Sequence, residues 1–129
     1  MKKKEALEDL RGHKLLTEEL EKRFAEVGRQ DGKLADALVI ARYYTPLSDW
    51  VWFVTELHKD EEGTLLFGFV CGLEQEWGYF SPEELAAARG VFGPWVHRDL
   101  RFREKTVRKA LEADGRKVPD WMNKKEASE

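Results

Sequence analysis

Apolar residues early in the chain recur at helical spacing. Four of them follow one another at intervals of four, four and three positions: Leu16, Leu20, Phe24 and Val27. This spacing places them on one face of a helix. Thr17 has the hydroxyl that an N-cap needs, and Gly28 suits a helix end. The pattern predicts an amphipathic helix over residues 17–27.

The middle of the chain is rich in β-branched and aromatic residues between turn signals. It predicts strands over residues 37–44, 50–57, 64–71, 77–80 and 96–102. Strict alternation in the second strand gives two apolar sets: Trp50, Trp52 and Val54 on one face, and Val51, Phe53 and Leu57 on the other. Because both faces need cover, we expect part of this strand to face outward or to face another subunit, with Trp50 at the rim.

Two further helices are predicted, over residues 82–89 and 106–114. The first is signalled by Ser81-Pro82-Glu83-Glu84, in which Ser81 is the expected cap and Pro82 the first helical residue. The order of elements predicts an α+β fold: an antiparallel meander of four to five curved strands, with helices before, within and after the sheet. We expect residues 1–129 to form a single domain with a core over about residues 15–114 and charged tails.

Charge is distributed unevenly around a net value of −3. Residues 44–90 carry two basic and nine acidic side chains, whereas residues 97–129 carry ten and seven. An acidic middle repels phosphate, so nucleic acid is a weaker partner prediction that rests on the basic C-terminal part. The single cysteine, Cys71, is expected to be buried and inert. No apolar run approaches the ~20 residues of a membrane span, which predicts a cytoplasmic protein without a membrane partner.

Candidate chemistry is confined to one set of polar residues at predicted strand ends and turns: Glu56, Glu74, Glu76, His97, Arg98 and Asp99. Carboxylates and a histidine that converge can share acid–base work or bind a divalent metal. Their spacings match no known ligand pattern, so we predict no catalytic residue, no metal and no cofactor. Arg98 is expected to need a buried acidic partner such as Glu56 or Glu76.

A second candidate set is aromatic and contains Trp50, Trp52, Tyr79 and Trp95. Buried together, these residues are core and need no function. Exposed together, they would form a binding surface, because tryptophan and tyrosine are enriched at the energetic centres of protein interfaces. The sequence leaves both interpretations open.

Several blocks resemble one family in the same order along the chain. They are YTPLSDWVWFVTE at residues 44–56, FGFVCGLE at 67–74, EWGYFS at 76–81, EL at 84–85, RDL at 98–100 and the opening LLT at 15–17. The family is catalogued as domain of unknown function 2958. The resemblance implies a bacterial protein, often carried on plasmids and other mobile elements, and it brings no established activity. Two positions depart from the family pattern: Trp77 replaces a usual aliphatic residue, and His97 replaces a usual acid.

The leading hypothesis is therefore a non-enzymatic protein-binding accessory factor of a mobile element, such as an anti-defence inhibitor of a host protein. It rests on the absent catalytic motifs, the aromatic strands and the implied context. A protein partner or self-association would follow. The alternatives are a small enzyme that uses the carboxylate and histidine set, and a nucleic-acid binder that uses the basic C-terminal part.

Overall fold

The computed structural model describes residues 11–91 and 93–123. Within this part of the chain lie three α-helices: α1 (Glu18–Val27), α2 (Pro82–Ala87) and α3 (Val107–Ala113). Short 3-10 helices occupy Leu34–Asp36 and Asp120–Asn123. The strands are β1 (Leu38–Val39), β2 (Ala41–Tyr44), β3 (Val51–Asp60), β4 (Gly63–Cys71), β5 (Gln75–Phe80), β6 (Arg89–Gly90), β7 (Gly93–Pro94), β8 (His97–Arg98) and β9 (Lys105–Thr106). None of the described helices is long and apolar enough to cross a membrane.

The central sheet has five strands in the order β5-β4-β3-β2-β8, and every neighbouring pair is antiparallel. Consecutive strands β2 to β5 form the meander, and β8 returns to pair with β2. The α+β fold with helices before, within and after the sheet is confirmed.

The predicted helix starts are correct because each has a hydroxyl at its N-cap. Thr17 accepts a hydrogen bond from the Leu20 amide at 3.1 Å, Ser81 from the Glu84 amide at 3.1 Å, and Thr106 from the Lys109 amide at 3.2 Å. These bonds satisfy amides that have no partner within the helix.

Helices cover the central strands on both faces. On the first, here called the α1 face, Phe24 and Ala86 from the first two helices pack with Trp52, Val54 and other sheet residues. On the opposite, α3 face, residues of α3 and both 3-10 helices pack against Phe53 and Phe69. Residues 51–56 are all buried. The outward-facing part predicted for this strand is therefore limited to its two ends, where Trp50 and Leu57 are half-buried.

A β-bulge in β3 changes which side chains share a face. The pairing register shifts between Val54 and Glu56, so that Glu56 lies opposite Phe67 and Leu57 opposite Leu66. Leu57 consequently packs with the α1 face. The prediction that it shares a face with Val51 and Phe53 was wrong, because the extra residue reverses the alternation beyond the bulge.

The fifth strand is shorter than predicted. Only His97–Arg98 pairs with β2. The Asp99 carboxylate accepts a hydrogen bond from the Arg101 amide at 3.0 Å, and the Asp99 carbonyl accepts one from Phe102. This aspartate turn ends the strand, and it leaves Leu100 61% exposed.

Candidate functional site

Three tryptophans form a cluster on the α1 face. The ring centroids of Trp50, Trp52 and Trp95, here called the tryptophan triad, lie 5.7 to 6.0 Å apart. Trp52 is buried at 4% exposure, whereas Trp50 and Trp95 are half-buried. The triad therefore has one ring in the core and two rings that reach the surface.

The position of the Trp50 ring depends on a glycine. A Cβ built on Gly72 would lie 2.5 Å from the Trp50 ring, closer than side chains tolerate. Gly72 belongs to the turn between β4 and β5, so this turn is the surface on which Trp50 rests. No local pattern in the sequence indicates this contact, because the two residues are 22 positions apart along the chain.

An open groove runs beside Trp95. It has a volume of about 470 Å³ and is lined by Pro46, Leu47, Gly90, Val91, Gly93, Pro94, Trp95 and His97. Two of its apolar side chains are largely exposed, with Leu47 at 76% and Val91 at 91% exposure. Within residues 11–91 and 93–123, no acidic side chain lines the groove. We call this feature the Trp95 groove.

The histidine of the groove is held in its neutral form. Burial, and then the nearby Arg11 charge, lower the pKa of His97. Its neighbour His13, 5.7 Å away between ring centroids, has a pKa lowered to about 4, mainly by burial and next by Arg98. His13 Nε2 also accepts a hydrogen bond from the Arg98 amide at 2.9 Å, which requires that nitrogen to be unprotonated. The described residues that line the groove therefore carry no charge near neutral pH.

The predicted polar set is not brought together. Glu74 and Glu76 are exposed on and beside β5, at one edge of the sheet, whereas His97, Arg98 and Asp99 lie on and after β8, at the other edge. Four strand spacings separate these edges, or roughly 19 Å. Among the described residues, no three His, Cys, Asp or Glu side chains stand close enough to hold a metal ion.

The partners of this set also differ from those predicted. Arg98 does not pair with Glu56 or Glu76; its Nε donates to the Lys14 carbonyl at 2.8 Å. Asp99 forms an ion pair with Arg42 at 3.2 Å, and Arg42 also contacts Asp114 at 3.0 Å. Because a backbone carbonyl of the segment before α1 accepts the hydrogen bond from Arg98, the guanidinium does not need a buried acidic partner.

Tyr79 separates from the tryptophans as well. It lies opposite Phe67 in the sheet, with its ring centroid 4.8 Å from Phe67 and 5.6 Å from His58. This puts it on the α3 face, 61% exposed. The aromatic set predicted from the sequence is thus a triad on one face and a single tyrosine on the other.

A pocket that the sequence did not indicate lies on the α3 face, next to the bulge in β3. It has a volume of about 360 Å³, and its lining includes Gln30, Glu56, Phe67 and Trp77. The Glu56 carboxylate is 5% exposed. It accepts a hydrogen bond from the backbone N–H of Gln30 at 2.7 Å and lies 2.8 Å from His58 Nε2. We call this feature the Glu56 pocket.

Gln30 fixes the loop that closes this pocket. Its side chain, 5% exposed, donates to the carbonyls of Leu38 and Thr55 at 2.9 Å and accepts from the Leu38 amide at 2.6 Å. Leu34, also in the lining, has a positive φ of 48° that is uncommon for a residue with a side chain. The sequence does indicate that Glu56 and His58 lie close together, since residues two apart on a strand share a face. Nothing in the sequence marked Gln30.

Cys71 is fully buried, and burial raises the pKa of its thiol to about 11. The thiolate is the nucleophilic form, so this cysteine is unreactive near neutral pH, in agreement with the prediction.

The comparisons with known proteins give one match. Residues 15–113 match the model of a family described as protein of unknown function (DUF2958). No curated protein and no solved structure matches the chain. The match covers most of the sequence, from the segment before α1 to the end of α3, and it includes the triad and the Glu56 pocket. The chain belongs to the DUF2958 family, whose function is not known.

Proposed function

We propose that the protein is a non-enzymatic binding factor that captures a partner protein through the Trp95 groove. The observation that carries this proposal is that two largely exposed aliphatic residues, Leu47 and Val91, and a half-buried tryptophan line one groove. Exposed apolar residues scattered singly need no explanation, whereas a contiguous patch around a concave site is typical of an interface.

The triad gives the groove a rigid base. Trp52 is buried in the core, and its ring centroid lies 5.7 Å from that of Trp50 and 6.0 Å from that of Trp95. Rings that are already ordered lose little entropy on binding, so more of the contact energy is available for affinity. Tryptophan is also the residue type most often found at the energetic centre of protein interfaces.

The chemistry of the groove specifies the kind of partner segment. The part of the lining that the structure describes has no acid, and its histidine is neutral, so an apolar side chain can enter without removing a charge from water. Arg89, exposed beside Gly90 of the lining, has no ion pair within the described part of the chain. The expected partner presents an aliphatic or aromatic anchor next to an acidic residue.

The setting of this binding is part of the proposal. The resemblance implies a mobile-element context, in which the targets would be host proteins, and we propose that the protein acts as an anti-defence inhibitor that blocks one of them. The nucleic-acid alternative has less support. Two of the C-terminal cations are engaged within the chain: Arg108 lies 3.5 Å from the Asp36 carboxylate, and Arg116 donates to the Asp49 carbonyl at 2.7 Å.

A matched pair of substitutions tests the proposal. Val91→Glu adds a charge to the groove, and Leu73→Glu adds the same charge to the turn between β4 and β5, where Leu73 is 93% exposed. In affinity purification from cells of the source organism, we expect one stoichiometric partner with the unmodified protein and with Leu73→Glu, and loss of that partner with Val91→Glu. Equal recovery with both variants would contradict a role for the groove.

A further inference from the structure

We propose that the Glu56 pocket binds a small organic cation with a flat apolar body, such as an amidinium or an arylammonium. This site is on the face of the sheet opposite the tryptophan triad, and it is independent of the protein-binding role proposed above. The inference rests on a buried carboxylate with unused acceptor positions, on aromatic walls, and on the charge of the lining.

The carboxylate of Glu56 has capacity for a ligand. A carboxylate offers about four acceptor positions, two on each oxygen. In the described structure Oε2 accepts from the Gln30 amide, and Oε1 contacts His58 Nε2. Each oxygen therefore keeps one position, and the carboxylate lines the pocket at 5% exposure. Two N–H groups of one cation could bind these positions side by side, as in paired contacts of guanidinium with carboxylate.

The walls suit a flat ligand. Phe67 and Trp77 both line the pocket, and their rings are stacked with an interplanar angle of 6° and a centroid distance of 5.7 Å. Aromatic faces attract cations through the ring quadrupole, and they attract flat apolar groups by stacking.

The sign of the ligand charge follows from the lining. Among the described residues, the lining contains two acids, Glu56 and Asp31, and no lysine or arginine. The nearest pairing of Asp31 is with Arg29 at 3.2 Å, and both of these side chains are more than 70% exposed, so solvent weakens that ion pair. An anionic ligand would meet two carboxylates in this lining, whereas a cation would be attracted to a carboxylate that is largely withdrawn from water.

Three nearly isosteric probes test this proposal on the unmodified protein: benzamidinium, benzamide and benzoate, which are cationic, neutral and anionic. Binding is followed by two-dimensional NMR of ¹⁵N-labelled protein, with the Trp77 indole signal assigned by comparison with Trp77→Phe. We expect benzamidinium to shift the Trp77 indole and Gln30 backbone signals and to leave the indoles of the triad unchanged. Benzamide should bind at least about tenfold more weakly, because a charge-assisted hydrogen bond is about twice as strong as a neutral one. Benzoate should not bind.

A substitution then identifies the carboxylate. Glu56→Gln should reduce the affinity for benzamidinium to that for benzamide, whereas Glu62→Gln, an exposed change at the hairpin tip between β3 and β4, should leave both affinities unchanged. Equal affinity for benzamidinium and benzamide in the unmodified protein would overturn the proposal, as would shifts confined to other residues or the absence of any shift. If Glu56→Gln does not fold, the comparison of probes on the unmodified protein decides the question.

Discussion

Gly68→Ala will lower the free energy of unfolding by roughly 3–5 kcal/mol, the range of the most damaging single substitutions. A Cβ at this position would lie 2.1 Å from the Phe53 carbonyl oxygen and 3.0 Å from the Val54 Cα. Both are backbone atoms of β3, which cannot move aside as the end of a flexible side chain can. The added methyl group must therefore separate β3 from β4 at the centre of the sheet, next to the bulge that positions Glu56.

The cross-strand partner of this residue is the matched control. Gly78 lies directly opposite Gly68 on β5, and a Cβ there would have no heavy atom within 4 Å. Gly78→Ala should be neutral or stabilising by up to about 1 kcal/mol, because alanine reduces the freedom of the unfolded chain. Urea denaturation of both variants measures the difference. Equal costs would show that β3 and β4 do not approach as closely as described.

Trp52→Ala will cost roughly 3–5 kcal/mol of folding free energy, as large aromatic truncations in a core do. The Trp52 side chain is 4% exposed and contacts both other rings of the triad. Trp50→Ala should cost roughly half as much, because hydrophobic stabilisation follows the area withdrawn from water and the Trp50 ring is only half-buried.

The two tryptophan variants are compared by urea denaturation at matched conditions. The order of the costs is the informative result, since both residues were expected to share a face and only one was expected at the rim. A cost for Trp50→Ala equal to that for Trp52→Ala would mean that both rings are core, and the triad would then lose its surface part.

Much of the fold followed from local signals in the sequence. Thr17, Ser81 and Thr106 were predicted as N-caps, and the structure confirms all three, because a cap depends only on a hydroxyl and the helix beside it. The strands of the meander were also predicted within a few residues, because β-branched and aromatic residues between turn signals mark them locally. The prediction of the fifth strand was wrong after Arg98 because a side chain competed with the sheet: the Asp99 carboxylate accepts a hydrogen bond from the Arg101 amide and forms a turn.

The site was less predictable because it depends on register. One extra residue at the bulge moved Glu56 and Leu57 to faces opposite to those that strict alternation gives. No local pattern marks such a bulge. The bulge is what places the Glu56 carboxylate in the lining of the Glu56 pocket. Long-range contacts were equally hidden. Gly72 contacts Trp50, and the Gln30 backbone N–H donates to Glu56. Both contacts join segments that meet only when the sheet assembles.

The most direct test of the proposed function places a photo-crosslinking phenylalanine analogue at position 91, in the Trp95 groove, or at the equally exposed position 73. Both variants are irradiated in cells of the source organism, and the product is measured by mass. We expect position 91 to give a single adduct with one other protein and position 73 to give none. An adduct of equal yield at both positions, an adduct with a second copy of this chain, or no adduct at position 91 would contradict the account.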